Sequence, residues 1–540
     1  MHPRWVFRLS FTAFFLISAA WALALPVNGT YDEKHHIVRA YAVAEGHWLP
    51  DGPASDGTPY GTEGFDVPAS LLPGNLYCVV GAKARGSASC QVTVASREKV
   101  RTPSAAARYS PVYYLPVGLP LLVSPDRAGV VAARLVSALL GALLLAAALA
   151  TAVRLGSRML VAGVALVSTP LAMNLIGSVN PNGLEIAAGV LVFVTFSALL
   201  DGVASRRMLV LAGVAAALLL TVRQLGPVLF VVDVVACGLL AGRGRVAALW
   251  RSVPARWLLG GFVLAGLAVA GGWAVASGGN DQPPVPGHAI HGDIVRQIVS
   301  TRIPFYVKQI VGQFGYGEIV MSPYLVLLWY LLCLAVVVPA LVWAGWRLRL
   351  VAAGLLAFCA VLLVALDLRY APRSGWFAQG RYAMPTLAGV VLLAALAWQR
   401  GGLAGGPPDG PPAGRWGRLA RSRWPVVALV GFTAPVHLYA LARAMTRFSA
   451  GLDASLNPFA GSWRPVAGPA VPLAAAVVGL AVLVAVARST ALASSSFTTY
   501  RGGELAPGTV SGELNNGSVT PIGQTASRAT KASTTDAGSH

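Results

Sequence analysis

The chain has 540 residues, of which 56% are hydrophobic and only 11% are charged, with a formal net charge of +20. So few charges, with the apolar residues in long uninterrupted runs, exclude an ordinary soluble protein and indicate one that crosses a membrane many times. The positive charge does not indicate nucleic-acid binding, because the basic residues stand in short clusters and form no stripe with interleaved aromatic residues.

The apolar runs predict about twelve membrane helices. The first run, Trp5–Leu25, contains Ala22-Leu23-Ala24, which resembles a signal-peptide cleavage site. It exceeds the apolar region of about 7–15 residues in a cleavable signal, so it predicts a retained anchor. The other runs lie at about 128–153, 159–177, 183–203, 208–222, 225–241, 257–277, 323–345, 350–366, 383–398, 425–445 and 471–487.

The short loops predict the topology, because Lys and Arg stay on the cytoplasmic side. Arginine clusters between the runs place both termini inside, and the loop Asn174–Gly183, which has no Lys or Arg, falls outside. The pair 208–222 and 225–241 is either two short helices or one hairpin that breaks around Arg223. The expected location is a bacterial plasma membrane.

The predicted fold class is an all-α polytopic membrane protein with a large first extracytoplasmic loop. Its parts are a first helix (1–25), an outer subdomain with an acidic motif (26–127), a transmembrane core with outer loops 278–322 and 367–382 (128–400), a Gly/Pro-rich cytoplasmic linker (401–424), two last helices (425–488) and a disordered cytoplasmic tail (489–540).

The densest ionisable cluster stands directly after the first helix, where Asp32 and Glu33 precede Lys34, His35 and His36. Two carboxylates at a membrane surface are candidates for a general base or for substrate binding. The alternative is that they cap the following helix, since acidic residues are favourable in a first turn. Asp32 shares a helix face with His35 or His36, so these residues are candidate ligands of a divalent metal. The simpler interpretation is that both histidines are solvated.

Two of the five cysteines, Cys78 and Cys90, lie in the outer segment 26–127, where a disulfide is chemically permitted. The segment between them contains Gly and Ser and is able to bend, so a disulfide is predicted. The other three lie inside apolar runs and are expected to be small core residues: Cys237, Cys333 and Cys359.

Four short motifs occur in order along residues 5–400. They are PVNGTYDEKHH after the first helix, Pro111-Val112-Tyr113-Tyr114, Ser178-Val179-Asn180-Pro181-Asn182-Gly183, and Gln379-Gly380-Arg381-Tyr382. This set resembles a domain-of-unknown-function family of bacterial polytopic membrane proteins, which looks related to the GT-C glycosyltransferases. The resemblance implies a sugar transferase that uses a polyprenyl-phosphate-linked sugar on the outer face. Its acidic residue would lie where Asp32 and Glu33 stand.

Three arginines lie in the predicted outer loop 367–382, although Lys and Arg of short loops favour the cytoplasmic side: Arg369, Arg373 and Arg381. A guanidinium matches phosphate oxygens, so these residues are candidates for holding a lipid phosphate, with plain headgroup contact as the alternative.

Aromatic and amide residues of the motifs are further candidates for substrate binding. Tyr113 and Tyr114 are expected to be aromatic residues at the membrane interface. The alternative is that their rings stack on a bound sugar. Asn180 and Asn182 are expected to form a turn and start a helix, with substrate binding as the alternative. His36 is a further candidate substrate-binding residue.

The predicted function is transfer of a sugar from a polyprenyl-phosphate donor to an envelope glycan or glycolipid. The alternatives are a transporter or flippase of lipid-linked glycans and a non-catalytic envelope-assembly protein. A transporter places ionisable residues near the midplane. Here the predicted helices contain few acids (Glu185, Asp201 and Asp233), which favours the enzyme.

Overall fold

The computed structural model describes residues 3–55, 63–81, 83–279, 289–398 and 424–492. The predicted linker and tail lie almost entirely outside these ranges. Helices α1 to α18 are Pro3–Ala24, Glu33–Glu45, Pro111–Val123, Arg127–Arg154, Arg158–Val167, Pro170–Ile176, Pro181–Leu200, Arg206–Val222, Gly226–Ala241, Arg243–Arg251, Val253–Ser277, Ile294–Gln297, Ile303–Gly312, Pro323–Trp343, Trp346–Ser374, Met384–Ala397, Trp424–Ala450 and Ala470–Leu492.

Each predicted apolar run is helical, but fewer than twelve helices are long enough to cross a membrane. Within the described ranges, eight helices pass by length and composition, and up to ten if each of two bent pairs counts as one span. The bent pairs are α5 with α6 and α9 with α10. The two predicted runs that remain form helices too short to pass, α8 with 17 residues and α16 with 14. Both end or begin beside polar residues, α8 before Arg223 and α16 after Tyr382, so polar segments shorten them.

The centre of the bundle is α7, whose apolar window is 100% buried, whereas the window of α11 is 6% buried. Helix α1 packs against α4 and against α18. Polar residues at the start of α7 therefore face protein and not lipid, which is the arrangement that buried polar groups in membrane helices require.

The segment predicted to lie outside, residues 26–127, contains α2, α3 and a small antiparallel sheet in its described part. Its strands are β1 (Gly52–Pro53), β2 (Glu63–Pro68) and β3 (Lys99–Pro103), in the order β1-β2-β3. A second hairpin, β4 (Gln313–Phe314) with β5 (Ile319–Val320), follows α13. Cys78 and Cys90 are joined by a disulfide, with Cα atoms 6.2 Å apart. The other three cysteines are free.

The predicted outer loop 367–382 is shorter than expected. Helix α15 continues to Ser374, so Asp367, Arg369 and Arg373 are helical. Leu368, Arg369 and Ala371 favour a helix past the apolar run, and the helix continues through Pro372. It ends before Gly375, whose φ of 88° suits a residue without a Cβ.

Candidate functional site

Asp32 does not cap α2 through its side chain. Its backbone has a left-handed conformation, with φ 58° and ψ 9°, and its carboxylate accepts no capping hydrogen bond. Aspartate tolerates this region better than most residues because its short polar side chain can interact locally. The carboxylate instead accepts a hydrogen bond from Arg381 Nη2 and stays 35% exposed, although Arg381 itself is 1% exposed.

Glu33 has the opposite environment, fully buried within the protein. Arg134 of α4 donates to both carboxylate oxygens, Nε to Oε1 at 2.7 Å and Nη2 to Oε2 at 2.6 Å. The backbone N–H of Val179 donates to Oε1 at 3.2 Å, and that of Asn28 donates to Oε2 at 3.1 Å. Four donors satisfy this carboxylate, so its arrangement is that of a structural ion pair.

The exposed side of Asp32 opens into a small cavity of about 30 Å³. That volume holds roughly one or two water molecules. Ten residues line it: Asp32, His35, His36, Ala105, Ala106, Tyr109, Asn182, Arg223, Arg381 and Tyr382. They come from several parts of the chain that the predicted topology places on one side of the membrane.

Arg381 reaches this cavity because its segment packs tightly on α13. A Cβ on Gly380 would lie 2.7 Å from the carbonyl oxygen of Tyr306, so only glycine allows the approach. Gln309 accepts a hydrogen bond from the Gly380 N–H at 2.6 Å and donates to Gln379. The Gly in the Gln-Gly-Arg-Tyr motif thus has a packing function, which places Arg381.

Asp367 holds the start of the same segment. Its buried carboxylate accepts from the backbone N–H groups of Phe377, at 3.0 Å, and Ala378, at 2.7 Å. It also accepts from Arg302 Nε at 2.8 Å and from the Tyr306 hydroxyl. Two elements, α13 and α15, therefore fix the chain that carries Arg381.

Arg223 is the second guanidinium of the cavity, and it follows α8 directly. Its Nη1 donates to Asn182 Oδ1 at 2.7 Å and to Glu185 Oε2 at 3.1 Å, both on α7. Its guanidinium carbon lies 4.8 Å from the centre of the Tyr382 ring. Glu185 and Asn182 therefore orient a cation toward the same cavity that Asp32 enters.

Both arginines retain unused hydrogen-bond donors. In the part of the chain that the structure describes, Nε and Nη1 of Arg381 and Nε of Arg223 are buried with no hydrogen-bond partner. A buried charged donor without a partner is costly, so these atoms would gain from hydrogen bonds to an anionic group.

The charges of the cavity keep Asp32 ionised. Burial alone would raise the pKa of this carboxyl, but the guanidinium of Arg381 lowers the pKa below its ordinary value. Burial lowers the pKa of His36 well below its ordinary value, so its imidazole is neutral at pH 7. At neutral pH the site therefore holds an aspartate ready to accept a proton.

The histidines make specific contacts with the protein and are not solvated. His35 Nδ1 accepts from the Ala105 N–H at 3.0 Å, and His36 Nδ1 lies 2.8 Å from the Tyr114 hydroxyl. Among the described residues, no group of three or more His, Cys, Asp or Glu is placed to hold a metal ion.

The motif aromatics and amides that the sequence offered as substrate ligands make protein contacts. Tyr113 and Tyr114 are 1% and 0% exposed, so they are not interface aromatics. The Tyr113 hydroxyl accepts from the Asn180 N–H at 2.8 Å. Asn180 caps α7 by accepting from the N–H of Asn182, as a turn and helix start require. Of these four, Asn182 lines the cavity.

The three arginines predicted to bind phosphate lie in two different environments. Arg369 and Arg373 are exposed on α15 and do not line the cavity, whereas Arg381 does. Arg223 was missed as a candidate. In the predicted topology it stands in a short outer loop, contrary to the inside bias, and that signal was available. Arg223 is therefore an exception to the rule that Lys and Arg of short loops lie on the cytoplasmic side.

The family model described as "Predicted membrane protein (DUF2142)" matches residues 15–390 of this chain. No curated protein matches. The solved structure of ArnT from Cupriavidus metallidurans bound to undecaprenyl phosphate is similar over 91% of this chain and 78% of its own, with 15% identity and a TM-score of 0.39. A similarity this weak assigns no activity to the chain.

Proposed function

The chain belongs to the DUF2142 family of predicted membrane proteins, and we propose that it is a GT-C-type membrane glycosyltransferase. It moves a sugar from a polyprenyl-phosphate donor to a hydroxyl of an envelope glycan or glycolipid on the outer face of the plasma membrane. Asp32 is the general base, and Arg381 and Arg223 bind the phosphate. Glu33 is a structural residue.

One observation carries this proposal: an ionised carboxylate and unpartnered guanidinium donors meet in one cavity. The donor atoms are Nε and Nη1 of Arg381 and Nε of Arg223. Guanidinium groups bind phosphate oxygens through charge-assisted hydrogen bonds. A carboxylate beside them is the proton acceptor that transfer to a hydroxyl requires.

The transfer step follows from these groups. Asp32 takes the proton of the acceptor hydroxyl as its oxygen forms a bond to the anomeric carbon of the sugar. The bond from that carbon to the phosphate oxygen breaks, and its electron pair stays on the phosphate. Negative charge on the leaving phosphate increases, and Arg381 and Arg223 stabilise it in a site shielded from water.

Arg381 couples the two halves of this step. It donates to Asp32 in the empty site, which keeps the carboxylate ionised. As charge develops on the phosphate, the guanidinium is drawn toward it, and its hold on Asp32 weakens. The pKa of Asp32 then rises as the proton arrives, so a weak base becomes a stronger one during the reaction.

The cavity must enlarge before a sugar binds, because about 30 Å³ is far below the hundreds of Å³ of ordinary ligand sites. Donor binding therefore includes a movement of the surrounding segments. Proteolysis protection on adding donor measures such a movement independently of turnover.

One observation favours the alternative function of a transporter or flippase. Asp233 is buried in α9 beside the Thr386 hydroxyl and forms no ion pair among the described residues. An ionisable residue inside a membrane helix is a candidate for transport. Asp233 and Asp32 therefore distinguish the two functions.

The test is a proteoliposome assay with polyprenyl-phosphate sugars as donors and mixed envelope glycolipids as acceptors. We expect the protein to release polyprenyl phosphate, Asp32→Asn to abolish release, and Asp233→Asn to retain it. Movement of intact lipid-linked sugar across the bilayer, lost in Asp233→Asn and kept in Asp32→Asn, would instead establish the transporter.

A further inference from the structure

A large apolar groove lies at the opposite end of α9 from Arg223. It has a volume of about 1570 Å³ and runs between α9, α10 and the first turns of α15, with the end of α7 behind it. Its walls are apolar except at the rim, and representative lining residues are Phe196, Val235, Leu239, Leu350 and Gly354. Several of these side chains are largely exposed, Leu239 by 62% and Leu350 by 61%.

The groove is separate from the Asp32 cavity. Helix α9 has 16 residues, so about 24 Å of helix separates its two ends. Arg223 precedes the first end and belongs to the cavity, whereas Arg243 follows the second end and belongs to the groove. No residue lines both sites.

A sharp bend forms the rim. Helices α9 and α10 meet at 113°, and Gly242 between them has a φ of 88°. A Cβ on Gly242 would lie 2.9 Å from Nη1 of Arg347, so the guanidinium of α15 rests against the bend. Arg347 therefore lies close to the chain segment that carries Arg243.

These two rim arginines carry uncompensated charge. Arg243 and Arg347 are exposed, and neither has an acidic partner within the described ranges. Arg245 differs, because its Nη1 pairs with Asp201 Oδ1 at 2.8 Å and so fastens α10 to the end of α7. Two of the three rim arginines remain available for an anion.

The rim also has the aromatic residues of a membrane interface. Trp250 of α10 and Trp346 of α15 line the groove and are 73% and 65% exposed. Tryptophan is enriched at the level of lipid headgroups, where one side of the ring is apolar and its N–H is hydrated. The arginines beside them are therefore at headgroup height, and the apolar walls are at acyl-chain height.

We propose that this groove is a binding site for an anionic phospholipid, with its acyl chains on α9 and α15 and its phosphate on Arg243 and Arg347. Two uncompensated guanidinium groups favour a net negative headgroup over a zwitterionic one, since the zwitterion brings its own cation to the same rim. The volume exceeds that of ordinary small-molecule sites, which suits a ligand with long chains. The proposal does not depend on the glycosyltransferase activity.

The experiment uses native mass spectrometry of the full chain in detergent, titrated with phosphatidylglycerol or phosphatidylcholine. The variant Arg243→Gln with Arg347→Gln removes both rim charges. Its matched control is Arg251→Gln with Arg207→Gln, which removes two basic residues outside the groove lining. We expect the rim variant to bind phosphatidylglycerol about 30-fold more weakly and the control to bind it unchanged.

A second pair of variants tests the apolar part of the site. A Cβ at Gly354, in the groove, meets no atom within 4 Å, and the same holds at Gly271 on α11, outside it. Gly354→Leu therefore places an apolar side chain in the groove with no Cβ clash and should weaken lipid binding, whereas Gly271→Leu should leave it unchanged. This pair stays informative if the arginine variant does not fold.

Three outcomes would overturn the proposal. The first is equal affinity for phosphatidylcholine and phosphatidylglycerol in the unaltered protein. The second is unchanged phosphatidylglycerol binding in Gly354→Leu or in the rim variant, which would place the lipid elsewhere. The third is a dimer, seen as a doubled mass, that Gly354→Leu dissociates in the absence of lipid, because the groove would then bind a second copy of the chain.

Discussion

Two adjacent carboxylates, Asp32 and Glu33, each pair with an arginine. The two arginines differ in how many of their N–H groups form hydrogen bonds. Arg134, the partner of Glu33, donates all five of its N–H groups: three to the carbonyl oxygens of Ala22, Leu25 and Pro26, and two to Glu33. Arg381, the partner of Asp32, donates through Nη2 and keeps Nε and Nη1 without partners in the described chain.

The difference indicates which cluster is structural and which is available for a ligand. In the Glu33 cluster (Glu33, Arg134 and the end of α1), Arg134 donates to carbonyl oxygens that the helix end leaves without a partner. The same guanidinium neutralises the charge of Glu33. The Asp32 cavity has charge left over, with one carboxylate partly exposed and two guanidiniums incompletely bonded. Complete hydrogen bonding rigidifies a structure, whereas leftover donors can bind a substrate.

The largest expected effect is on the rate of transfer in Asp32→Asn. The amide keeps the shape of the side chain but cannot take a proton, so turnover should fall about 10²–10⁴-fold. The melting temperature should fall modestly, because the amide leaves Arg381 without its carboxylate, while Asp32 itself is 35% exposed. Asp51→Asn, in the same outer segment, is the control. Equal turnover in the two variants would remove Asp32 from the mechanism.

The next effect is on stability, in Glu33→Gln. Breaking a buried ion pair leaves the partner charge uncompensated and costs about 3–5 kcal/mol. The measurement is thermal unfolding in detergent. Glu63→Gln is the matched control, because Glu63 pairs with Arg108 while both side chains are about a third exposed, so its loss should cost no more than about 1 kcal/mol. If Glu33→Gln folds normally yet loses turnover, the roles assigned to the two clusters are reversed.

Much of the Asp32 cavity could be predicted from the sequence, and the missing parts have physical reasons. The acid after the first helix and Arg381 both stand in recognisable outer motifs. Periodicity assigns helix ends to one side of the membrane, but it does not say which ends meet. Arg223 lies between two runs and its partner Glu185 lies within another, so only packing around α7 brings them together.

The Glu33 cluster was the harder prediction, although one signal was present. Arg134 stands inside the apolar run 128–153, and a charge at such a position needs a partner within the protein. That requirement predicts an acid nearby, without saying which of Asp32 and Glu33 it is. The backbone decides, because the left-handed turn at Asp32 directs the two side chains apart.

A smaller effect should separate the cavity arginine from the exposed ones. Arg223→Lys keeps the charge but removes the planar guanidinium, which donates to Asn182 and has further N–H groups for a phosphate. Since hydrogen bonds to charged groups contribute about 1.5–3 kcal/mol, kcat/KM for the donor should fall about 10–100-fold. Arg373→Lys, on the exposed face of α15, should leave kcat/KM unchanged. The same loss in both variants would mean that position in the cavity does not matter.

The smallest effect is a pH dependence of stability that His36 imposes on the Asp32 cavity. Burial lowers the pKa of His36 well below 6.5; Asp32 acts to raise the pKa, and Arg381, His35 and Arg223 act to lower it further. Between the folded and unfolded pKa values the unfolded chain binds the extra proton, so stability is lost as the pH falls through about 6.5. From pH 7.5 to 5.5 that loss should be about 1 kcal/mol.

His36→Gln should flatten this slope, because glutamine does not titrate, while His47→Gln should not, since that side chain is 42% exposed. The comparison is the change in melting temperature between the two pH values for each variant, with the buffer and detergent held constant. An unchanged slope in His36→Gln would mean that the imidazole binds as many protons in the folded protein as in the unfolded chain. Burial would then not keep His36 neutral, and its charged form would add a third cation beside Arg381 and Arg223 in the cavity.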